Sequence, residues 1–90
     1  MPNLSFSFDI NFSSYEGEKL SNYLTDYDQD FRAIIIQEID KRQTSDLMGS
    51  KNRNKFLQDI ANALNKYLVE KDEEPVIFAA NFKNFVVNQH

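Results

Sequence analysis

Residues 3–13 read Asn-Leu-Ser-Phe-Ser-Phe-Asp-Ile-Asn-Phe-Ser, and this stretch decides the class of fold. Leu4, Phe6, Phe8, Ile10 and Phe12 fall on one side of an extended chain, and Asn3, Ser5, Ser7, Asp9, Asn11 and Ser13 on the other. A period of two over this length predicts a half-buried strand with an aromatic face toward a core. The opposite end of the chain carries a second such segment. Pro75 stops any helix arriving from upstream. Residues 76–88 are rich in Val, Ile and Phe, which favour strand. The alternation Val76, Phe78, Ala80, Phe82 loses phase before Phe85 and Val87, so the strand is expected to be bulged near Lys83-Asn84 or split in two, with Phe82 and Phe85 buried on opposite sides.

Between the two strands the period becomes helical. Ser13 and Glu16 have capping-box spacing. Leu20, Tyr23, Leu24, Tyr27, Phe31, Ile34 and Ile35 then form one stripe, which predicts a helix over 15–41 with a bend near Asp26–Asp30. Ile36 and Ile39 widen the stripe, so this helix end is expected to be covered on two sides. Thr44 is the candidate cap of a short turn over 45–48, and Gly49 suits a positive-φ stop. Residues 50–69 form the cleanest amphipathic pattern, with Phe56, Ile60, Ala63, Leu64 and Tyr67 inward. The order β-α-α-β predicts an α+β domain in which a small sheet, built from an N-terminal and a C-terminal strand, packs against two amphipathic helices.

Ninety residues amount to one domain, and 41% hydrophobic residues with eight Phe are too apolar for a disordered chain. A net charge of −4 argues against a dedicated nucleic-acid binder. There is no cysteine, which removes disulfides, thiolate nucleophiles and Cys-ligated metals. Asp26, Asp28 and Asp30 open like a calcium loop, but Phe31 and Gln37 stand where that loop needs Gly and Glu. His90 is the only imidazole and sits at a terminus, where it cannot orient as a general base. No catalytic, cofactor-binding or metal-binding residue is assigned, and the chain is read as non-enzymatic.

Charge is unevenly spread. Residues 1–40 carry eight acids against two bases, a net −6, whereas residues 41–69 carry two acids against six bases, a net +4. Unlike patches on copies of one protein attract. The basic turn (Lys51, Arg53, Lys55) of one copy is therefore expected to meet the acidic helix (Asp26, Asp28, Asp30) of the next.

Four segments taken in order carry a family resemblance: Arg32-Ala-Ile-Ile-Ile36, Thr44-Ser-Asp-Leu47, Asn52-Arg-Asn-Lys-Phe-Leu57 and Ile60-Ala-Asn-Ala-Leu-Asn65. Together with the closing strand, whose Phe78, Phe82, Phe85, Val86, Val87 and Gln89 follow a family-like spacing, they resemble the periplasmic domain of the flagellar motor protein FliL. The resemblance covers residues 4–89. Ala33 stands where the family often has Asp, and Asn88 is an extra residue before Gln89. It implies a stomatin-like (SPFH-like) fold and one periplasmic domain over residues 1–90, belonging to an inner-membrane protein with a single membrane helix upstream. It also implies a scaffold role without turnover or cofactor, beside stator proteins of the MotA/MotB type, with self-assembly into a ring. A membrane-anchored stomatin-like scaffold unrelated to motility, or a small ligand-binding regulatory domain, is the alternative.

Overall fold

In a computed structural model, which describes residues 4–89, the alternating N-terminal segment forms β1 (Leu4–Ser14), and its aromatic side lies against the helices. Helices α1 (Gly17–Asp26), α2 (Asp28–Asp40) and α3 (Ser50–Glu70) follow, with a single 3-10 turn over Thr44–Leu47 between α2 and α3. β2 (Ile77–Gln89) then returns antiparallel to β1, and the two strands make up the sheet. A two-stranded ribbon is marginal by itself. What holds this one is α3, which packs on β2, on α2 and on the 3-10 turn. Phe56, Ile60, Leu64 and Leu68 of α3 are fully buried, at the three- and four-residue steps that the amphipathic pattern requires. The α+β class read from the sequence holds, with three helices in place of two.

The register of the ribbon explains the broken alternation in β2. Ten residues of β1 pair with ten of β2; Phe8 faces the two-residue step Asn84-Phe85, and Phe78 has no opposite number. One bulge lies between the pairs Ser7↔Val86 and Asp9↔Lys83, where Asn84 takes a positive φ of 55°. An extra residue restores the parity of the side chains beyond it. Phe82 and Phe85 therefore point to the same side, with ring centroids 4.7 Å apart, and not to opposite sides as the sequence phase predicts. The second bulge lies between Ser13↔Ala79 and Ser14↔Ile77 and expels Phe78. Phe78 is 63% exposed and meets the exposed Tyr15 ring edge-on, although it shares the alternation of Val76, Ala80 and Phe82. Val76 and Ile77 are buried in its place.

Local signals were overruled elsewhere for similar reasons. The predicted helix over 15–41 breaks at Tyr27 (φ −116°, ψ 25°) into α1 and α2, although Tyr27 still donates to the Tyr23 carbonyl and accepts from the Phe31 amide. The Ser13–Glu16 capping box does not form, because the strand runs through Ser14. There Ser14 Oγ accepts from the Glu16 amide and donates to the Val76 carbonyl at 2.8 Å, which ties the start of α1 to the segment entering β2. The short turn is closed by Asp46, whose carboxylate accepts from the Gln43 amide, so Gln43 and not Thr44 is its cap. Gly49 has a φ of +83°, in keeping with its predicted role. After α3, Asp72 takes the left-handed position (φ 59°). Asp72 and Glu73 donate back to the Val69 and Leu68 carbonyls, a helix ending that usually employs glycine.

Asn65 performs a task no sequence pattern announces. From α3 its amide donates to the Ile77 carbonyl at 2.9 Å and accepts from the Ile77 amide at 3.1 Å. One side chain thus satisfies both backbone groups of a buried residue at the strand's start. Asn65→Ala is expected to destabilise by about 2–3 kcal/mol, because it leaves a donor and an acceptor unpaired. Asn65→Asp should recover little, since its second oxygen would face the Ile77 carbonyl. Denaturant melts check this, and a loss below about 0.5 kcal/mol would show that solvent replaces the pair.

Candidate functional site

The basic residues about the turn between α2 and α3 are paired in part within the molecule. Arg42, just beyond α2, donates through Nη1 to the Glu38 carbonyl (2.7 Å) and approaches the Glu38 carboxylate (3.5 Å), while Nη2 donates to Asp59 on α3. Its guanidinium also lies 5.0 Å from the centre of the Phe56 ring. Glu38 is the one buried charged residue among those described, and it takes a second bond of 2.6 Å from Lys41. Lys55 donates to Asp59 at 2.8 Å, one helical turn along α3. Lys55 first, and Arg42 after it, holds the Asp59 carboxyl below its ordinary range.

Of the residues assigned to self-association, Lys55 is therefore engaged by Asp59, and Arg53 lies over the Phe85 ring at 5.0 Å. On the acidic side Asp28 pairs with Arg32 at 3.0 Å, and Asp30 accepts from the Tyr67 hydroxyl on α3. Lys51 and Asp26 have no ion pair among the described residues and are exposed. The two sets do sit far apart. Tyr67, against Asp30, and Arg53 are separated along α3 by about 20 Å, so Asp30 and Arg53 lie toward different ends of that helix. Asp26, Asp28 and Asp30 do not converge, and among the described residues no three acids or histidines gather as a metal would need. His90 lies outside the described residues.

The hydrogen bond to Asp30, with partial burial, pushes the Tyr67 hydroxyl up to about 12. The folded value lies above the unfolded value of about 10, so this group's contribution is complete below pH ~10 and is lost as pH rises through about 12. Burial also raises the Tyr27 hydroxyl, so phenolate absorbance should show a late-titrating component, and Tyr67→Phe should remove the part of it near pH 12. A titration in which all four tyrosines ionise together near pH 10 would contradict the Tyr67–Asp30 bond.

The family-like residues of β2 have unequal fates. Phe82 and Phe85 join Phe6 and Phe8 in an aromatic cluster, with Phe8 also edge-on to Phe56 at 6.0 Å. Val86, Val87 and Phe78 are exposed, and Gln89 closes the ladder opposite Leu4. The ribbon overhangs the start of α3: thirteen residues of strand span about 40 Å and twenty-one of helix about 30 Å, in a molecule 47 Å long. On the other side of β1, an open groove of about 730 Å³ runs between that strand and α2. Phe6, Phe8, Ile10, Phe31 and Ile35 line it, with Asp9, Asp28 and Arg32 at its margins.

Sequence reasoning missed Arg42, Glu38 and Asp59 as a unit, although Glu38 and Arg42, like Lys55 and Asp59, stand at the four-residue spacing of helical ion pairs. No helix among the described residues is long and apolar enough to cross a membrane. Comparison with protein families, with curated proteins and with solved structures finds no match for this chain.

Proposed function

We propose that this chain is a non-enzymatic interaction domain of the FliL type, SPFH-like, held in the periplasm by an upstream membrane helix, and that it supports stator units of the MotA/MotB type in the flagellar motor. The observation that carries the reading is the ordered set of segments along residues 4–89. The resemblance asks for a strand, a helix, a short turn, a helix and a closing strand, and the chain has that order with α1 and α2 as the first helix. Two of the ion pairs, Arg42–Asp59 and Lys19–Glu74, join separate elements, which suits a scaffold.

Self-association belongs to the same proposal. Unlike charge on two separate surfaces of one molecule permits head-to-tail contact, which closes into a ring when copies share a membrane plane. Because Lys55 and Asp30 also serve internal bonds, the clean reversal is Lys51→Glu, rescued by Asp26→Lys in the same chain. Each exposed pair contributes only about 0–1 kcal/mol, so the test belongs in the membrane-anchored protein. Deleting the gene and following swimming and the stator occupancy of motors tests the function itself. Reduced occupancy is expected. Normal motility with unchanged occupancy would sink the motor assignment and favour the stomatin-like scaffold unrelated to motility.

A further inference from the structure

A second groove, of about 270 Å³, lies between α3 and β2, and no residue in its lining is charged although 27% of the chain is. Asn54, Gln58 and Asn62 form one wall, at the four-residue steps that set side chains on one face of a helix, and span about 12 Å of α3. All three are exposed, and none of their amides has a hydrogen bond among the described residues. Leu57 and Ala61 are buried beside them and make the floor apolar. Asn65, one turn further along α3, shows what an amide of this helix does when a polar group faces it: it donates to and accepts from the Ile77 backbone. That pair, with Phe56 stacked 6.0 Å from Phe82, runs α3 antiparallel to β2 and sets Asn62 toward Phe78. Phe78 closes this end of the groove. The bulge turns its ring out of a core-facing alternation, and bulges recur where a strand re-aims a side chain at a site. With Tyr15, 73% exposed, it forms an aromatic pair open to solvent.

We propose that this groove binds a neutral, extended saccharide chain. One sugar lays its C–H face on the Phe78 ring, and the sugars beyond it turn their hydroxyls to Asn62, Gln58 and Asn54. Each carboxamide carries both donors and an acceptor, and each sugar hydroxyl donates and accepts, so the two match without charge on either side. The negative face of the aromatic ring attracts the polarised C–H groups of a sugar, and the apolar floor covers the rest of them. The lining decides against charged ligands. A phosphate or carboxylate would find no cation there, and a cationic group no acid. The exposed ring favours a sugar over a peptide backbone, whose polar edge has no apolar face to set on it. The proposal stands apart from the flagellar reading, and either can fail alone.

The test titrates the isotopically labelled 90-residue chain with cellotetraose, which is neutral and extended, and follows its backbone and side-chain amide resonances. Saturable shifts are expected at the side-chain amides of Asn54, Gln58 and Asn62 and at the backbone of residues 77–81. Affinity should fall about tenfold for Phe78→Ala and several-fold for Gln58→Ala. Both residues are exposed, so both variants should melt with the parent. Maltotetraose, a coiled chain of the same composition, should bind several-fold more weakly. Absence of saturable shifts with cellotetraose, shifts centred elsewhere, unchanged affinity in Phe78→Ala, or equal affinity for maltotetraose would overturn the proposal. So would tighter binding at the same amides of a capped neutral peptide that alternates threonine with asparagine, since it would seat a strand there.

Discussion

Phe56→Ala should destabilise the domain by about 3–5 kcal/mol, the range for removing a buried ring and leaving its cavity. Phe56 has no exposed surface and sits where the two layers meet, 6.0 Å from both Phe8 and Phe82 and beneath Arg42. Domains of this size hold only about 5–15 kcal/mol in total, so the variant should approach half-unfolding in little urea. Phe56→Leu keeps most of the volume and should lose about 1 kcal/mol. A loss below about 1 kcal/mol for the alanine variant would mean that the strands and α3 do not share one core.

Removal of Arg42 is the second large effect. Arg42→Ala withdraws the one group that touches both Glu38 and Asp59, and it uncovers one side of Phe56. Lys41 and Lys55 remain as partial partners, so the expected loss is about 2–4 kcal/mol, somewhat less than for a fully orphaned buried charge. Arg42→Lys keeps the charge but cannot reach both acids, and should recover less than half of that loss. Acid reports on the same junction. The Asp59 value is depressed, so its stabilising contribution is complete above the ordinary carboxylate range and is lost as pH falls through the lower, folded value. Asp59→Asn should flatten that acid limb, and its coupling to Arg42→Ala in a double-mutant cycle should exceed about 0.5 kcal/mol. Strict additivity would show that the two side chains act separately.

Much of this architecture is legible in the sequence where the residues alternate cleanly. β1 has one polar and one apolar side and needs no tertiary context to be read. α3 has one fully apolar stripe, and Gly49 marks its start by the one backbone angle that other residues avoid. Legibility ends where a run offers no contrast. Val76-Ile-Phe-Ala-Ala80 is apolar throughout, so nothing in it says which residue the bulge will expel. The bulge near Asn84 was visible, but its effect was inverted: the extra residue corrects the phase and does not reverse it. Asn65 resembles any polar residue on a helix until Ile77 is set against it. The charge clusters were visible as composition, but their pairing was not, because Arg42, Glu38 and Asp59 come together only when α2 and α3 pack.

The pairing of Leu4 with Gln89 puts the first and last described residues side by side at one end of the ribbon. A pull applied between them loads the ladder one rung after another, so the strands peel apart from the Leu4–Gln89 pair inward and are never sheared along their length. The first rungs to open lie in the overhang beyond α3, with little helix beneath them. Peeling then meets the Phe6–Phe8–Phe82–Phe85 cluster, where the rings of both strands interlock. Under tension the molecule should therefore yield in two stages, a soft lengthening at low force and then a firm stop at the aromatic cluster.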